Sequence, residues 1–195
     1  MDKELDVAFW NNRWATGQTG WDIGYASPAI TTYLQQYENK NAAILIPGCG
    51  NAHEAEFLIS NGFTNITLID IAFEAVSILR EKFKTQPQVK IICDDFFNHQ
   101  GKYDLIIEQT FFCALSLEKR AAYVQHMASL LNNNGKLIGL LFSCYFEKDG
   151  PPFGGTKSDY QNLFEPHFKL ITMEPCYNSI PPRNGNELFF ILRKK

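Results

Sequence analysis

The chain has 195 residues, of which 45% are hydrophobic and 20% are charged, and its formal net charge at pH 7 is -3. This length suits one globular domain that buries a sizeable core. The charge argues against nucleic acid as a partner, because neutralising phosphates takes clustered Lys and Arg, and the basic run 193–195 is a short tail. We therefore expect a small-molecule substrate and no nucleic acid.

The cysteines and the first residues indicate where the protein works. Five cysteines with no CxxC pair fit neither a disulfide framework nor a zinc site. The opening residues "MDKELD" lack the basic and apolar runs of a signal peptide, and no window approaches the ~18 consecutive apolar residues of a membrane span. We expect a cytoplasmic protein, a monomer or weak homo-oligomer, with no metal and no membrane partner.

The segment before the first predicted strand is rich in aromatic residues. All three tryptophans of the chain, Trp10, Trp14 and Trp21, lie there, interleaved with glycines. Trp10 and Trp14 are four residues apart, a spacing that places both on one face of a helix, where they could also simply pack inward. The segment therefore predicts either a packed aromatic cluster or a surface that receives a ligand.

From residue 42 onward, short apolar runs alternate with helical patterns, as in strand–helix–strand units of a parallel sheet. The predicted strands cover residues 42–46, 66–70, 89–93, 105–107 and 136–142. The predicted helices cover residues 52–60, 73–83 and 117–131, the last stopped by "NNNG", and a further helix starts near Thr156.

Two final apolar runs, residues 168–173 and 188–192, leave no room between them for a crossover helix. Such a spacing predicts an antiparallel pair at one edge of the sheet. The fold class is therefore α/β, a Rossmann-like, mostly parallel sheet with an antiparallel edge pair.

The stretch "ILIPGCGNAH" (residues 44–53) predicts a buried strand that turns tightly into a helix. Gly48 and Gly50 let the backbone approach a ligand there, and Asp70 closes the next strand, where an acid accepts hydrogen bonds from ribose hydroxyls. A dinucleotide site needs a third glycine under the pyrophosphate, and here that position is His53. An adenosine ligand without pyrophosphate, such as S-adenosylmethionine, removes the need.

Carboxylates also follow the third predicted strand, in "CDDFF" (residues 93–97). The carboxyl ends of parallel strands face the ligand crevice. We expect Asp95 to accept from an adenine amino group and Phe96 to supply an apolar wall and its backbone N–H.

Several motifs in order resemble one known family. The segments "FWNNRWATGQTGWDIGYASP", "ILIPGCGNAHE", "CDDFF", "YDLIIEQTFFCALSLEKR" and "DGPPFGG" resemble the thiopurine S-methyltransferase family, and within it the plant-type halide, thiol and thiocyanate methyltransferases. The resemblance spans residues 9–193. It implies a class I methyltransferase fold, S-adenosylmethionine as donor with S-adenosylhomocysteine as product, and a small soft nucleophile as acceptor: a thiol, bisulfide, halide or thiocyanate.

The resemblance also implies roles for individual residues. Gln109 stands where the plant-type members have a tyrosine that contacts the cofactor, which is a departure from their pattern. Arg183 falls on a basic position near the acceptor and could capture small anions. The implied cofactor residues are Trp10, Trp14, Trp21, Gly48, Gly50, Asp70, Asp95, Phe96 and Gln109. The predicted acceptor-side residues are Phe111, Phe112, Phe153 and Arg183.

The chemistry explains the aromatic segment and the lack of an evident catalytic base. Aromatic faces attract a sulfonium cation by roughly 0.5–2 kcal/mol, so residues 1–40 are expected to form a helical lid over a Rossmann-like core, residues 41–195, within a single domain. An anionic nucleophile needs no base in an in-line displacement.

Three alternatives stay open at this point. An O- or N-methyltransferase of another small metabolite would need a base. A non-catalytic module would bind S-adenosylmethionine without turnover. A nicotinamide-dependent oxidoreductase ranks last, because the third glycine is absent.

Overall fold

The computed structural model describes residues 5–195; the first four residues of the predicted lid lie outside this range. Seven strands form one sheet in the order β3-β2-β1-β4-β5-β7-β6. The strands are β1 (Ile44–Pro47), β2 (Ile66–Asp70), β3 (Val89–Cys93), β4 (Tyr103–Glu108), β5 (Leu131–Phe142), β6 (Phe168–Pro175) and β7 (Glu187–Lys194).

The strand directions match the predicted fold class. Strands β3, β2, β1, β4 and β5 are parallel to one another, and the chain order reverses between β1 and β4. β7 lies antiparallel between β5 and β6, which confirms the predicted antiparallel edge pair. In open sheets of this kind, ligands bind beyond the carboxyl ends of the strands at the point of reversal.

Six α-helices accompany the sheet in residues 5–195. They are α1 (Val7–Ala15), α2 (Pro28–Gln35), α3 (His53–Ser60), α4 (Phe73–Lys82), α5 (Arg120–Leu130) and α6 (Lys157–Phe164). α6 begins where the sequence predicted, because Thr156 and Asp159 form a reciprocal capping box. None of the helices described here is long and apolar enough to cross a membrane.

The sheet is covered on both faces, which is why its central strands are continuously apolar. Side chains alternate between the faces along each strand. Leu45 and Ile106 pack with Tyr123 of α5 in one cluster, whereas Ile44 packs with Ile30 of α2 in the other.

The prediction differs from the structure most at the start of β5. This strand begins at Leu131, directly after α5, rather than at Lys136. The asparagines predicted to stop the helix are absorbed as a strand irregularity: Asn134 has φ +63°, and the pairing register with β4 shifts between Tyr103 and Leu105. Asn tolerates the left-handed conformation, so this backbone irregularity fits inside the ladder.

Candidate functional site

The site is built around the glycine turn that follows β1. Gly48 and Gly50 have φ values of +54° and +50°, which favour glycine. A Cβ atom on Gly48 would lie 2.3 Å from the ring of Phe111, and one on Gly50 would lie 3.5 Å from the ring of Trp14. The two glycines therefore let side chains from two other segments close over the turn.

Asp70, at the end of β2, fixes this turn. Its side chain accepts hydrogen bonds from the backbone N–H groups of Gly50, at 3.0 Å, and of Ala72, at 2.9 Å. Burial raises the pKa of Asp70, and these N–H donors work against that rise. Each carboxylate oxygen keeps a second lone pair, so the side chain can still accept from hydroxyl donors.

A narrow cleft that opens to solvent lies beside the turn. Trp21, Asp22 and Tyr25 line it from the N-terminal side, and Gln109 and Thr110 line it from beyond β4. The side-chain oxygen of Gln109 is buried and has no hydrogen-bond partner among residues 5–195. A polar atom left unpaired in a cleft favours a ligand that donates to it.

The three tryptophans form one cluster. Trp10 and Trp14 each pack edge-on against Trp21, with ring centroids 5.7 and 6.1 Å apart. The guanidinium of Arg13 lies 5.5 Å from the centroid of the Trp21 ring, so a cation already occupies one aromatic face. Of the three rings, that of Trp21 lines the cleft, and the other two support it.

His53 explains why a histidine stands where a dinucleotide site has its third glycine. Its Nε2 donates to Asp22 Oδ1 at 2.9 Å, and the amide of Asn51 donates to the other oxygen of Asp22. Burial acts to raise the pKa of Asp22, yet the donors from Gly24, Asn51 and His53 lower it. We name this group, Asp22 with Asn51 and His53, the clasp, because it joins the aromatic segment to the glycine turn.

Asp95 and Phe96 lie just beyond β3, next to Asp70. The backbone N–H of Asp94 donates to the carbonyl of Asp70 at 3.2 Å, so the two strand ends are adjacent. Asp95 caps a short 3-10 turn by accepting from the N–H of Phe97. The ring of Phe96 is buried. The adenine contacts of both residues stay predictions.

The four predicted acceptor residues occupy different depths. Phe111 is half-buried against the glycine turn, whereas Phe112 is 1% exposed and packs in the core. Phe153 is half-buried and donates its N–H to the carbonyl of Cys113 at 2.7 Å. The contact of Phe112 with an acceptor stays a prediction, as do those of the other three residues.

Arg183 is not simply solvated in its turn. Its guanidinium donates to the carbonyl oxygen of Trp21 at 2.8 Å and lies 3.5 Å from the carboxylate of Glu187. It therefore ties the aromatic segment to the turn that precedes β7.

The sequence reasoning missed four buried charged residues, Glu54, Glu108, Arg120 and Glu187, of which Arg120 and Glu108 matter most for the site. Arg120, at the start of α5, is 8% exposed and donates to the carbonyl oxygens of Gly154 and Phe153 at 3.0 and 2.9 Å. Glu108 ends β4 and is 0% exposed. A carboxylate at the carboxyl end of a parallel strand is the signal that singled out Asp70, and it could have found Glu108 as well.

The residues present fit S-adenosylmethionine. Asp70 offers lone pairs where ribose hydroxyls are expected, and the unpaired oxygen of Gln109 offers an acceptor in the cleft. These features, on a sheet that reverses between β1 and β4, define a class I methyltransferase.

Comparisons with known proteins agree with this class and narrow it. The family model of thiopurine S-methyltransferases matches residues 5–188. The chain is 32% identical over 184 residues to the probable thiol methyltransferase 2 of Arabidopsis thaliana, covering 91% of this chain and 81% of that protein. It is 30% identical over 193 residues to the thiocyanate methyltransferase 1 of Brassica oleracea, covering 96% and 85%.

The fold likeness extends to a solved structure. The 1,6-didemethyltoxoflavin-N1-methyltransferase of Burkholderia thailandensis, with bound S-adenosylhomocysteine, superposes with a TM-score of 0.81 at 14% identity, covering 97% of this chain and 87% of that one. The chain belongs to the thiopurine S-methyltransferase family. It is an S-adenosylmethionine-dependent S-methyltransferase, and the predicted family, fold and methyl donor are confirmed.

Proposed function

We propose that the enzyme methylates a small, soft, anionic nucleophile: a thiolate, bisulfide, a halide or thiocyanate. The observation that carries this proposal is the buried guanidinium of Arg120. Its hydrogen bonds go to the carbonyl oxygens of Phe153 and Gly154, and it lies 4.4 Å from the centroid of the Phe112 ring. Burial lowers its pKa and the charge of Asp159 acts to raise it, but no carboxylate within residues 5–195 forms an ion pair with it. A buried charge without an ionic partner favours an anion close by.

A second guanidinium acts on the same region. Burial and the charge of Glu108 raise the pKa of Cys113 to about 12, whereas Arg183 and Arg120 act in the opposite direction. The fields of both arginines therefore reach this position. Cys113 in turn contacts the carbonyl of Thr110, which lines the cleft, so the cationic region adjoins the donor site.

The reaction needs no proton acceptor when the acceptor is an anion. When bound, S-adenosylmethionine would supply a methyl group on a sulfonium sulfur. A soft nucleophile would attack the methyl carbon in line, and S-adenosylhomocysteine would be the leaving group. Glu108 does not serve as a base, because its carboxylate is 0% exposed and two backbone N–H groups and the hydroxyl of Tyr123 already bind it. The protein's contribution is alignment and exclusion of water, and proximity alone is worth about 7–11 kcal/mol.

The aromatic segment is proposed to act as the lid of this site, with residues 41–195 as the core beneath it. Three contacts support this role: the clasp around Asp22, the bond from Arg183 to the carbonyl of Trp21, and the bond from the N–H of Ser27 to Glu54 at 3.0 Å. Closing the segment would place Trp21 over the donor and exclude water.

The cellular setting is proposed on composition. Five free cysteines fit a reducing cytoplasm. We propose a monomer or weak homo-oligomer that acts on a small molecule and not on nucleic acid.

A matched acceptor panel tests the proposal. Benzenethiol, phenol and aniline present sulfur, oxygen and nitrogen on the same ring, and thiocyanate, iodide and bisulfide represent the small anions. We expect saturable formation of methylated product with the sulfur and halide acceptors and none with phenol or aniline. Turnover on phenol or aniline alone would favour the O- or N-methyltransferase. Binding of S-adenosylhomocysteine without any turnover would favour the non-catalytic module.

The role of Arg183 has its own test. If Arg183→Ala leaves the Michaelis constants of thiocyanate and iodide unchanged, this residue does not capture anions. That result would leave the proposals for the clasp and for the donor site unchanged.

A further inference from the structure

The end of β4 carries a carboxylate that the reaction as described does not use. One oxygen of Glu108 accepts from the backbone N–H groups of Phe111 and Phe112, at 2.8 and 2.9 Å. The other oxygen accepts from the hydroxyl of Tyr123 at 2.5 Å. Three donors therefore converge on one fully buried side chain, and two of them belong to the turn that follows it.

That turn, residues 109–112, holds an unfavourable backbone conformation. Thr110 has φ +58°, which is strained for a β-branched residue. Such strain persists where surrounding contacts impose it, and it concentrates at functional sites. The bonds from Phe111 and Phe112 back to Glu108 close the backbone on either side of Thr110 and are consistent with this conformation.

The same turn presents two groups to the donor site. Gln109 lines the cleft, and its side-chain oxygen is buried without a partner among residues 5–195. The ring of Phe111 lies against Gly48, where a Cβ atom would come within 2.3 Å. Fixing the turn therefore fixes Gln109 in the wall of the cleft and Phe111 against Gly48, which also lines the cleft.

We propose that Glu108 is a positioning residue which, while ionised, holds residues 109–112 so that Gln109 and Phe111 frame the methyl donor. This inference rests on the proposed function, since it takes the cleft as the donor site. Protonation on the oxygen facing Tyr123 would reverse that hydrogen bond, since the hydroxyl can also accept. The N–H groups of Phe111 and Phe112 would then bind a neutral acid, and hydrogen bonds to a neutral acceptor are weaker than those to a carboxylate.

The groups around Glu108 leave it as the one that titrates near neutrality. Burial raises its pKa to about 7, and its bonds to Tyr123, Phe112 and Phe111 act against that rise. Burial raises the pKa of Tyr123 well above its usual range and that of Cys113 to about 12. Arg120 stays charged throughout.

The experiment follows kcat/KM for thiocyanate across about pH 6 to pH 8, because this acceptor does not titrate there. We expect kcat/KM of the wild type to fall with a midpoint near pH 7. The loss from pH 8 to pH 6 should be about tenfold, because the ionised fraction of such a group falls about tenfold over that range. Glu108→Gln, which mimics the protonated acid, should stay low and flat. Tyr123→Phe should move the midpoint to higher pH, because it removes a donor to the carboxylate.

A second measurement needs no methyl donor. After correction for intrinsic rates, amide hydrogen exchange of residues 109–112 should be faster at pH 6 than at pH 8 in the wild type and independent of pH in Glu108→Gln. Glu81→Gln, whose side chain is 74% exposed, is the matched control for loss of one negative charge.

The outcomes separate this inference from the proposed function. A wild-type midpoint that survives in Glu108→Gln, a flat wild-type profile, or pH-independent exchange in the wild type would overturn the positioning role. If the wild type neither binds S-adenosylhomocysteine nor methylates thiocyanate, the proposed function fails. The exchange experiment then still decides whether Glu108 holds the turn.

Discussion

The buried carboxylate of Glu108 should make stability depend on pH in a way that one substitution removes. Burial raises its pKa from 4.5 to about 7 in the folded protein, whereas the unfolded chain keeps the ordinary value. The folded state therefore binds this proton more tightly than the unfolded state. The stability that results is complete below pH 4.5 and is lost as the pH rises through about 7.

The size of the effect follows from these two values. One pKa unit corresponds to about 1.4 kcal/mol, so between about pH 5 and pH 8 the ionisation of Glu108 removes about 2 to 3 kcal/mol from the free energy of unfolding. Glu108→Gln keeps the shape of the side chain and removes the titration. Urea unfolding at both pH values should therefore show the wild type losing about 2 to 3 kcal/mol more than the variant.

The pH-dependent change in the free energy of unfolding is compared between the wild type and Glu108→Gln, so contributions of other groups cancel. Burial also raises the pKa values of Asp70 and Glu54, but both acids are present in the wild type and in the variant. The exposed-charge control Glu81→Gln should follow the wild type. Equal pH dependence in the wild type and in Glu108→Gln would refute the reasoning.

Three further substitutions test the structure. His53→Ala breaks the clasp, so the fluorescence of the tryptophans, all in the aromatic segment, should shift to the red, and S-adenosylhomocysteine should bind about fivefold more weakly; an unchanged spectrum and affinity would contradict this. Arg183→Leu leaves Glu187 buried without its partner, and thermal unfolding should show a loss of roughly 2 to 4 kcal/mol in stability. The double variant Arg183→Leu/Glu187→Leu should largely recover this loss. Equal stability of the single and the double variant would count against this expectation. Gly48→Ala should cost about 2 to 3 kcal/mol in urea unfolding and abolish binding of S-adenosylhomocysteine, because the new Cβ meets an aromatic ring. The control Gly62→Ala, with φ +81° and open space around it, should cost only about 1 kcal/mol. Equal costs would contradict the close approach at Gly48.

The sheet could be predicted because its signals are local. Short apolar runs marked every strand, and the spacing of the last two runs was enough to predict an antiparallel edge. The predicted start of β5 was wrong. The "NNNG" stretch is a helix stop by propensity, but it continues the strand ladder because β4 lies beside it. Tertiary pairing overrode local preference there.

The residues of the site also fall into a predictable and an unpredictable group. The positions of Gly48 and Asp70 at adjacent strand ends follow from the rule that parallel strands end at one edge. The partners of His53 and Arg183 could not be predicted, because they lie 31 and 162 residues away in sequence. Arg120 had no local signal, since a charged residue at a helix start is usually solvated.

We propose that the methyl donor binds beside the glycine turn and that Asp70 holds it there. The most direct measurement is a calorimetric titration of S-adenosylhomocysteine into the wild type and into Asp70→Asn, which keeps the size of the side chain. We expect one saturable site per chain in the wild type and a large loss of affinity in the variant. No binding to the wild type, or equal binding to both, would contradict the account.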